Sequence, residues 1–158
     1  MREVLIFLAG IATGLILCGV MVFVLMPKMM IVTQQSNFDY DTTVEKLEQS
    51  IQDNSWSHKG TMHFNDDLMK KGRDLGVKAG VLKLCKADYA YQVLSTPADR
   101  FVTCLMPCGF GVWEDGQGNV FVSKMNTGLM GKMFGGNIKK VMGGAVSADE
   151  EKILSVIK

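Results

Sequence analysis

Residues Val4 to Met26 form a run of 23 without a charged side chain. As a helix rising about 1.5 Å per residue, it would be about 34 Å long, enough to cross a hydrocarbon core of about 30 Å with some tilt. A cleaved signal sequence has a shorter apolar region, about 7–15 residues, and ends at a small-residue site. Leu25-Met26-Pro27-Lys28-Met29 offers no such site, and Leu17 stands before Cys18 where a lipoprotein signal needs a small residue. The run predicts an uncleaved single-pass anchor over 1–27, with the lipid bilayer as its first partner.

Arg2 and the α-amino group flank one end of the run, and Lys28 flanks the other. Positive groups favour the cytoplasmic side, so the balance leans to an inside N-terminus and a periplasmic domain. Gly10 and Gly14 form a GxxxG, and Ala9, Ala12 and Thr13 keep that surface small. Such a surface suits close helix pairing in a bilayer. Glycine is also common in membrane helices in general, and both readings stay open here.

The remaining residues, 28–158, are enough for one domain with its own core. The chain has 17 Lys+Arg against 16 Asp+Glu, a net charge of +1. That balance lacks the basic field of a nucleic-acid binder, so no nucleic acid is expected as partner. Four cysteines are too few for a disulfide-built miniprotein. No linker, repeat or low-complexity stretch separates domain from anchor.

Met29 to Gln35 reads as a short strand. A helix follows from Asp41, with Asp41 or Thr42 as cap and Thr42/Glu45 at capping-box spacing. Val44, Leu47 and Ile51 repeat at helical period. Residues 56–64 alternate as a strand, 65–72 form a short helix or loop, 79–86 a strand and 88–94 a helix. Arg100 to Glu114 reads as one strand, with Val102, Cys104, Met106, Cys108, Phe110 and Val112 on one apolar face unless Pro107 resets the register. A turn over 115–119 leads into a hairpin partner, 120–125. The C-terminal part is helical, broken at Gly143-Gly144 and restarted by a capping box at Ser147 and Glu150. The order is β-α-β-β-α-β-β-α. It predicts an α+β domain over 28–158, with helices on one face of a mostly antiparallel sheet.

Several stretches carry a resemblance. They are Val81 to Tyr91, with its Leu84-Cys85-Lys86-Ala87-Asp88-Tyr89-Ala90 run, Leu105-Met106-Pro107-Cys108, Val112-Trp113-Glu114-Asp115-Gly116, Met125-Asn126 and the glycine-rich Gly128 to Gly136. Over roughly Asn37 to Leu154 the chain resembles the bacterial and archaeal family called domain of unknown function 302. The resemblance implies a fold similar to that of the TATA-binding protein, often paired as a dimer. It implies neither DNA binding nor a catalytic residue, because fold does not fix function. The anchor is an addition to the family's domain.

Cys85, Cys104 and Cys108 are the candidates for thiol-redox or soft-metal chemistry. On one strand Cys104 and Cys108 would lie about 13 Å apart, too far for a disulfide. Buried structural thiols, a bridge from Cys85 to another strand, and a reactive Cys85 beside a lysine are the three readings. His58 and His63 are five apart, on opposite faces of a regular strand, so a shared metal would need a bend. Clustered methionines could hold Cu(I) or simply fill the core.

Asn126 to Gly136 has Gly131-Lys132 but lacks the Gly and Ser/Thr positions of a phosphate loop. Leu129, Met130, Met133 and Phe134 instead gather on one side of a helical turn. With Asn126 they form a candidate surface for a partner, a lipid face or a flat ligand, or else ordinary core.

The leading expectation is a membrane-anchored, non-catalytic interaction or accessory module. It would associate with itself or dock on a larger membrane complex. The alternatives are a domain for a small apolar ligand or cofactor of unknown identity, and a thiol or soft-metal protein. No metal ligand set and no catalytic group is assigned.

Overall fold

The structure, a computed structural model, describes residues 2–158, apart from the side chains of Leu5 and Ala9. Helix α1 spans Arg2–Met30 and continues through Pro27. Its apolar window has a mean hydropathy of 2.6, with none of it buried. By length and composition it can cross a membrane. Strand β1, Ile31–Gln35, starts directly after it. The expected strand at Met29 therefore begins two residues later, because Met29 and Met30 complete the helix.

The domain continues through α2 (Tyr40–Asp53), β2 (Ser57–His63), α3 (Phe64–Met69), β3 (Ala79–Cys85) and α4 (Ala87–Leu94). A 3-10 segment, Pro97–Leu105, leads to β4 (Cys108–Glu114) and β5 (Val120–Met125). Then come α5 (Thr127–Phe134), α6 (Gly136–Lys140), a π-helical turn at Val141–Val146, and α7 (Ser147–Leu154). The sheet is antiparallel throughout, in the order β1-β5-β4-β3-β2. The expected α+β architecture and element order are present.

Alternation decides which sheet face is core. Leu82 and Leu84, Phe110 and Val112, and Val120 and Val122 are buried against α2, whose Val44, Leu47 and Ile51 face them as one helical stripe. Their alternates, among them Val81, Gly111, Trp113 and Phe121, are half-buried. Trp113 and Phe121 stack there at 4.7 Å between centroids.

Four local expectations are corrected. Residues 100–105 are helical, and the strand begins at Cys108, after a cis Met106–Pro107 bond. Val102 is buried and Cys104 exposed, as a helical turn places residues two apart, whereas a strand would turn both to one face. Cys104 therefore shares no strand with Cys108. The cap of α2 is Asp39, whose Oδ1 accepts from the Thr42 amide at 2.9 Å.

Gly143-Gly144 does not break the helix. The π turn carries the chain through, and Ser147 lies inside the helix rather than capping it. The reason is a close crossing. A Cβ on Gly131 would lie 2.4 Å from the Gly143 amide nitrogen and 2.5 Å from its Cα, so α5 and the π turn touch backbone to backbone.

Finally, β2 has a bulge between His58 and Gly60, and Gly60 has φ of +115°. His58 pairs with Leu84 and His63 with Gly80, so the two histidines share a face. His58 bonds Thr61 beside Glu48, while His63 bonds the Tyr40 hydroxyl.

Candidate functional site

Two polar constructions stand out, both built by residues far apart in sequence. The first closes one end of the sheet. Asp149 of α7 accepts three hydrogen bonds on a single oxygen, Oδ2. They come from Lys86 Nζ at 2.9 Å, Trp56 Nε1 at 3.1 Å and the Tyr89 hydroxyl at 3.1 Å. The Lys86 ammonium also lies 4.8 Å from the Tyr89 ring centroid. Trp56 meets Tyr89 edge to face at 5.8 Å. Beneath this cap lies an apolar cavity of about 30 Å³, walled by Val93, Met106, Cys108 and Met142.

Burial pushes the Asp149 carboxyl up. The hydrogen bonds from Lys86, Trp56 and Tyr89 outweigh it and hold the group below its ordinary value of 3.8. The group binds its proton less readily in the fold than in the unfolded chain. Its contribution is complete above the ordinary value and drains away as pH falls through the folded one. Asp149→Asn is expected to cost about 2 kcal/mol at neutral pH, the range for hydrogen bonds to a charged group. It should also flatten the acid limb of stability. Urea unfolding from pH 7 down to pH 3 checks both (a parallel offset with the same acid limb contradicts the assignment).

The second construction is a buried pair. Lys124 of β5 occupies an inward strand position and donates to Glu150 Oε2 at 2.8 Å. Thr127 Oγ1 donates to the same oxygen at 2.7 Å. Both charged side chains are nearly sealed, 8% and 3% exposed. Among the described residues no buried side-chain polar atom lacks a partner.

Of the thiols, Cys104 is exposed on the 3-10 segment, where it bonds Phe101 O at 3.6 Å. Cys85 is half-buried at the end of β3. Cys108 is half-buried beside the cavity, and burial pushes its thiol up to about 12, with Glu150 and Cys85 adding to the effect. That direction favours the thiol over the thiolate, the form that attacks as a nucleophile. Among the described residues, no three His, Cys, Asp or Glu side chains are grouped to hold a metal ion.

The segment from Asn126 divides. Met130 is buried, Leu129 is half-buried, and Met133 and Phe134 are exposed. Asn126 caps α5, accepting from the Leu129 amide at 3.0 Å. It also reaches back to α1. Its amide donates to Met30 O at 2.7 Å and its Nδ2 to Met29 O at 2.9 Å. These are terminal carbonyls, which no later turn of α1 can satisfy. Asn126 thus fastens the apolar helix to the sheet. Gly10 and Gly14 lie on α1 with nothing near them, while the Ala9 side chain lies outside the described residues.

A five-stranded antiparallel sheet layered with helices on one face defines an α+β domain class whose chemistry the fold alone does not state. The family described as "Domain of unknown function DUF302" matches residues 31–158, and the chain belongs to it. The match begins at the first residue of β1 and leaves α1 outside. It takes in β1 and the C-terminal residues, beyond the stretch from Asn37 to Leu154. The crystal structure of an uncharacterized conserved DUF302 protein from Bacillus stearothermophilus is similar, with a TM-score of 0.72 and 18% identity. The similarity covers 82% of this chain and 99% of that one. At that identity it is the fold that is shared. Comparison with curated proteins finds no match.

Proposed function

We propose that this chain is a membrane-anchored, non-catalytic interaction or accessory module, with its domain on the periplasmic side. The observation that carries the reading is the mount. α1 passes into β1 without a spacer, β1 pairs with β5 over its whole length, and Asn126 holds the last two carbonyls of the helix. Such a mount fixes the height and orientation of the domain over the bilayer. A docking surface gains from this, because orientational freedom is lost before the partner arrives. Two residues of the chosen site, Asp149 and Lys86, spend their charges on each other, which suits a structural cap. The bare Gly10 and Gly14 face of α1 belongs to the same reading, as a surface for a second copy.

The test is extraction of the full chain from its own membrane in mild detergent. A species larger than one chain in its micelle is expected, and a lone monomer at micromolar concentration overturns the reading. Before extraction, a membrane-impermeant maleimide applied to cells with a permeabilised outer membrane should label Cys104. Labelling only after the inner membrane is broken reverses the orientation. Cys108 should stay unlabelled until denaturant is added.

A second reading, a site for a small apolar ligand, draws on the apolar cavity walls. At about 30 Å³ the cavity holds a water-sized group, against about 300–1,000 Å³ for ordinary ligand pockets. A ligand detected by mass in the native preparation would promote this reading over the first.

A further inference from the structure

Exposed apolar side chains of the domain gather in two places: Met62, Phe64, Met69 and Leu75 around the connection after β2, and a second group at the end where α1 enters, which alone is continuous with the apolar helix. Met29, Met30, Ile31 and Val32 continue the apolar surface of α1 into the first strand. Beyond them Phe101, Met133 and Phe134 are 59%, 53% and 43% exposed. The rings of Phe101 and Phe134 meet edge to face at 5.6 Å. Asn137 holds the two pieces together, its Nδ2 donating to Gln92 O and Asp99 Oδ2.

Register places this patch. Ile31 pairs with Met125, and Cys108 with Leu84. The start of β1, the end of β5 and the start of β4 therefore lie at one end of the sheet, the end where α1 enters. α5 leaves β5 there, and the 3-10 segment bearing Phe101 enters β4 there. The 115–119 turn and the connection after β2, which holds Leu75, lie at the other end.

Length sets the level. The 29 residues of α1 span about 43 Å, close to the roughly 40–45 Å of a bilayer with its headgroups. The last carbonyls of α1, and the Asn126 that binds them, then sit among headgroups. α5 extends only about 12 Å from that level. Charge fits as well. Between Met125 and Asp149 the only charged residues are Lys132, Lys139 and Lys140, all exposed.

Resting on the reading that α1 crosses a membrane, we infer that this patch is a second membrane contact. Phe101, Met133 and Phe134 enter the interface beside α1, and Lys132, Lys139 and Lys140 meet anionic phospholipid headgroups. The second attachment then adds to the mount at α1, holding the tilt of the domain more firmly.

The test uses the full chain in vesicles of equal parts phosphatidylcholine and phosphatidylglycerol, with lipids brominated in their tails as quenchers. Tryptophan reporters are placed by Phe134→Trp, by Phe23→Trp within α1 and by Leu75→Trp at the far end of the sheet. Each is read as the difference from the parent chain. Reporters at 23 and 134 are expected to lose about twofold in fluorescence, as for a side chain at the headgroup and acyl boundary, and the one at 75 to be unchanged. Met133→Trp repeats the measurement if the first variant folds poorly. Quenching at 23 without quenching at 134 or 133 overturns the second contact and leaves the anchor standing. No quenching at 23 overturns both. Replacing phosphatidylglycerol by phosphatidylcholine should weaken quenching at 134 alone, and an unchanged signal there overturns the part given to the lysines.

Discussion

Gly131→Ala is expected to lower the stability of the domain by about 3 kcal/mol, the upper range for overpacking a filled interior. For a domain of this size that is a fall of about 10 °C in Tm. The added methyl would sit 2.4–2.5 Å from backbone atoms of Gly143, and backbone cannot rotate away as a side chain can. Relief requires α5 and the π turn to separate. That would loosen Val141, Met142 and Val146, which the π turn places in the core. Gly144→Ala is the control, because its Cβ would meet nothing within 4 Å. There alanine should be neutral or gain up to about 1 kcal/mol from helix propensity. Thermal unfolding of the full chain in detergent, followed by near-ultraviolet circular dichroism, measures both. Equal effects at the two positions would mean that the crossing is not close.

Glu150→Leu should cost about 3–5 kcal/mol, because it leaves the Lys124 ammonium buried without its counter-charge. Lys124→Met should cost a similar amount. The double variant Lys124→Met/Glu150→Leu should recover most of the loss and could exceed the parent. Burial pushes the Glu150 carboxyl up from 4.5 against the pull of Lys124 and Thr127. For the Glu150 carboxyl, then, desolvation outweighs the attraction, and apolar replacement of buried ion pairs is often neutral or stabilising. Urea unfolding of the four proteins gives the coupling energy directly. Additive losses would show that water reaches the pair and that each charge is solvated on its own.

Legibility in the sequence followed the range of the interactions. β3, α4 and β5 were readable because alternation and helical period are set by a sheet face or a helix stripe within a few residues. The stretch before β4 reads as a strand from its apolar alternation, but Val102 and Met106 stand equally well at i, i+4 on a helical face, which leaves Cys104 on the opposite, exposed side. The bulge at Lys59 turned the two histidines to one side, and only Gly60 hinted at it. The α2 cap was placed too late because Asp39, Asp41 and Thr42 are all good caps, and geometry alone chooses among them. The Asp149 cap was out of reach, since it joins Trp56, Lys86 and Tyr89 across the full domain. The buried pair had left a signal. Val120, Val122 and Lys124 share one parity, so a lysine stood where a core residue belongs and called for a buried acid. The role of Asn126 as a fastener had none, because nothing local relates it to Met29.

The order in which the chain is made gives the mount between α1 and the sheet one further meaning. α1 and β1 emerge from the ribosome first, while the strand that pairs with β1 and the Asn126 that grips the helix end emerge long after. β1 must therefore wait with its hydrogen-bonding edge open until Met125 arrives. On the proposed reading of α1 as an anchor, folding of the domain is completed only after that helix is in place, and a nascent chain stalled before residue 126 would expose an adhesive edge to its neighbours.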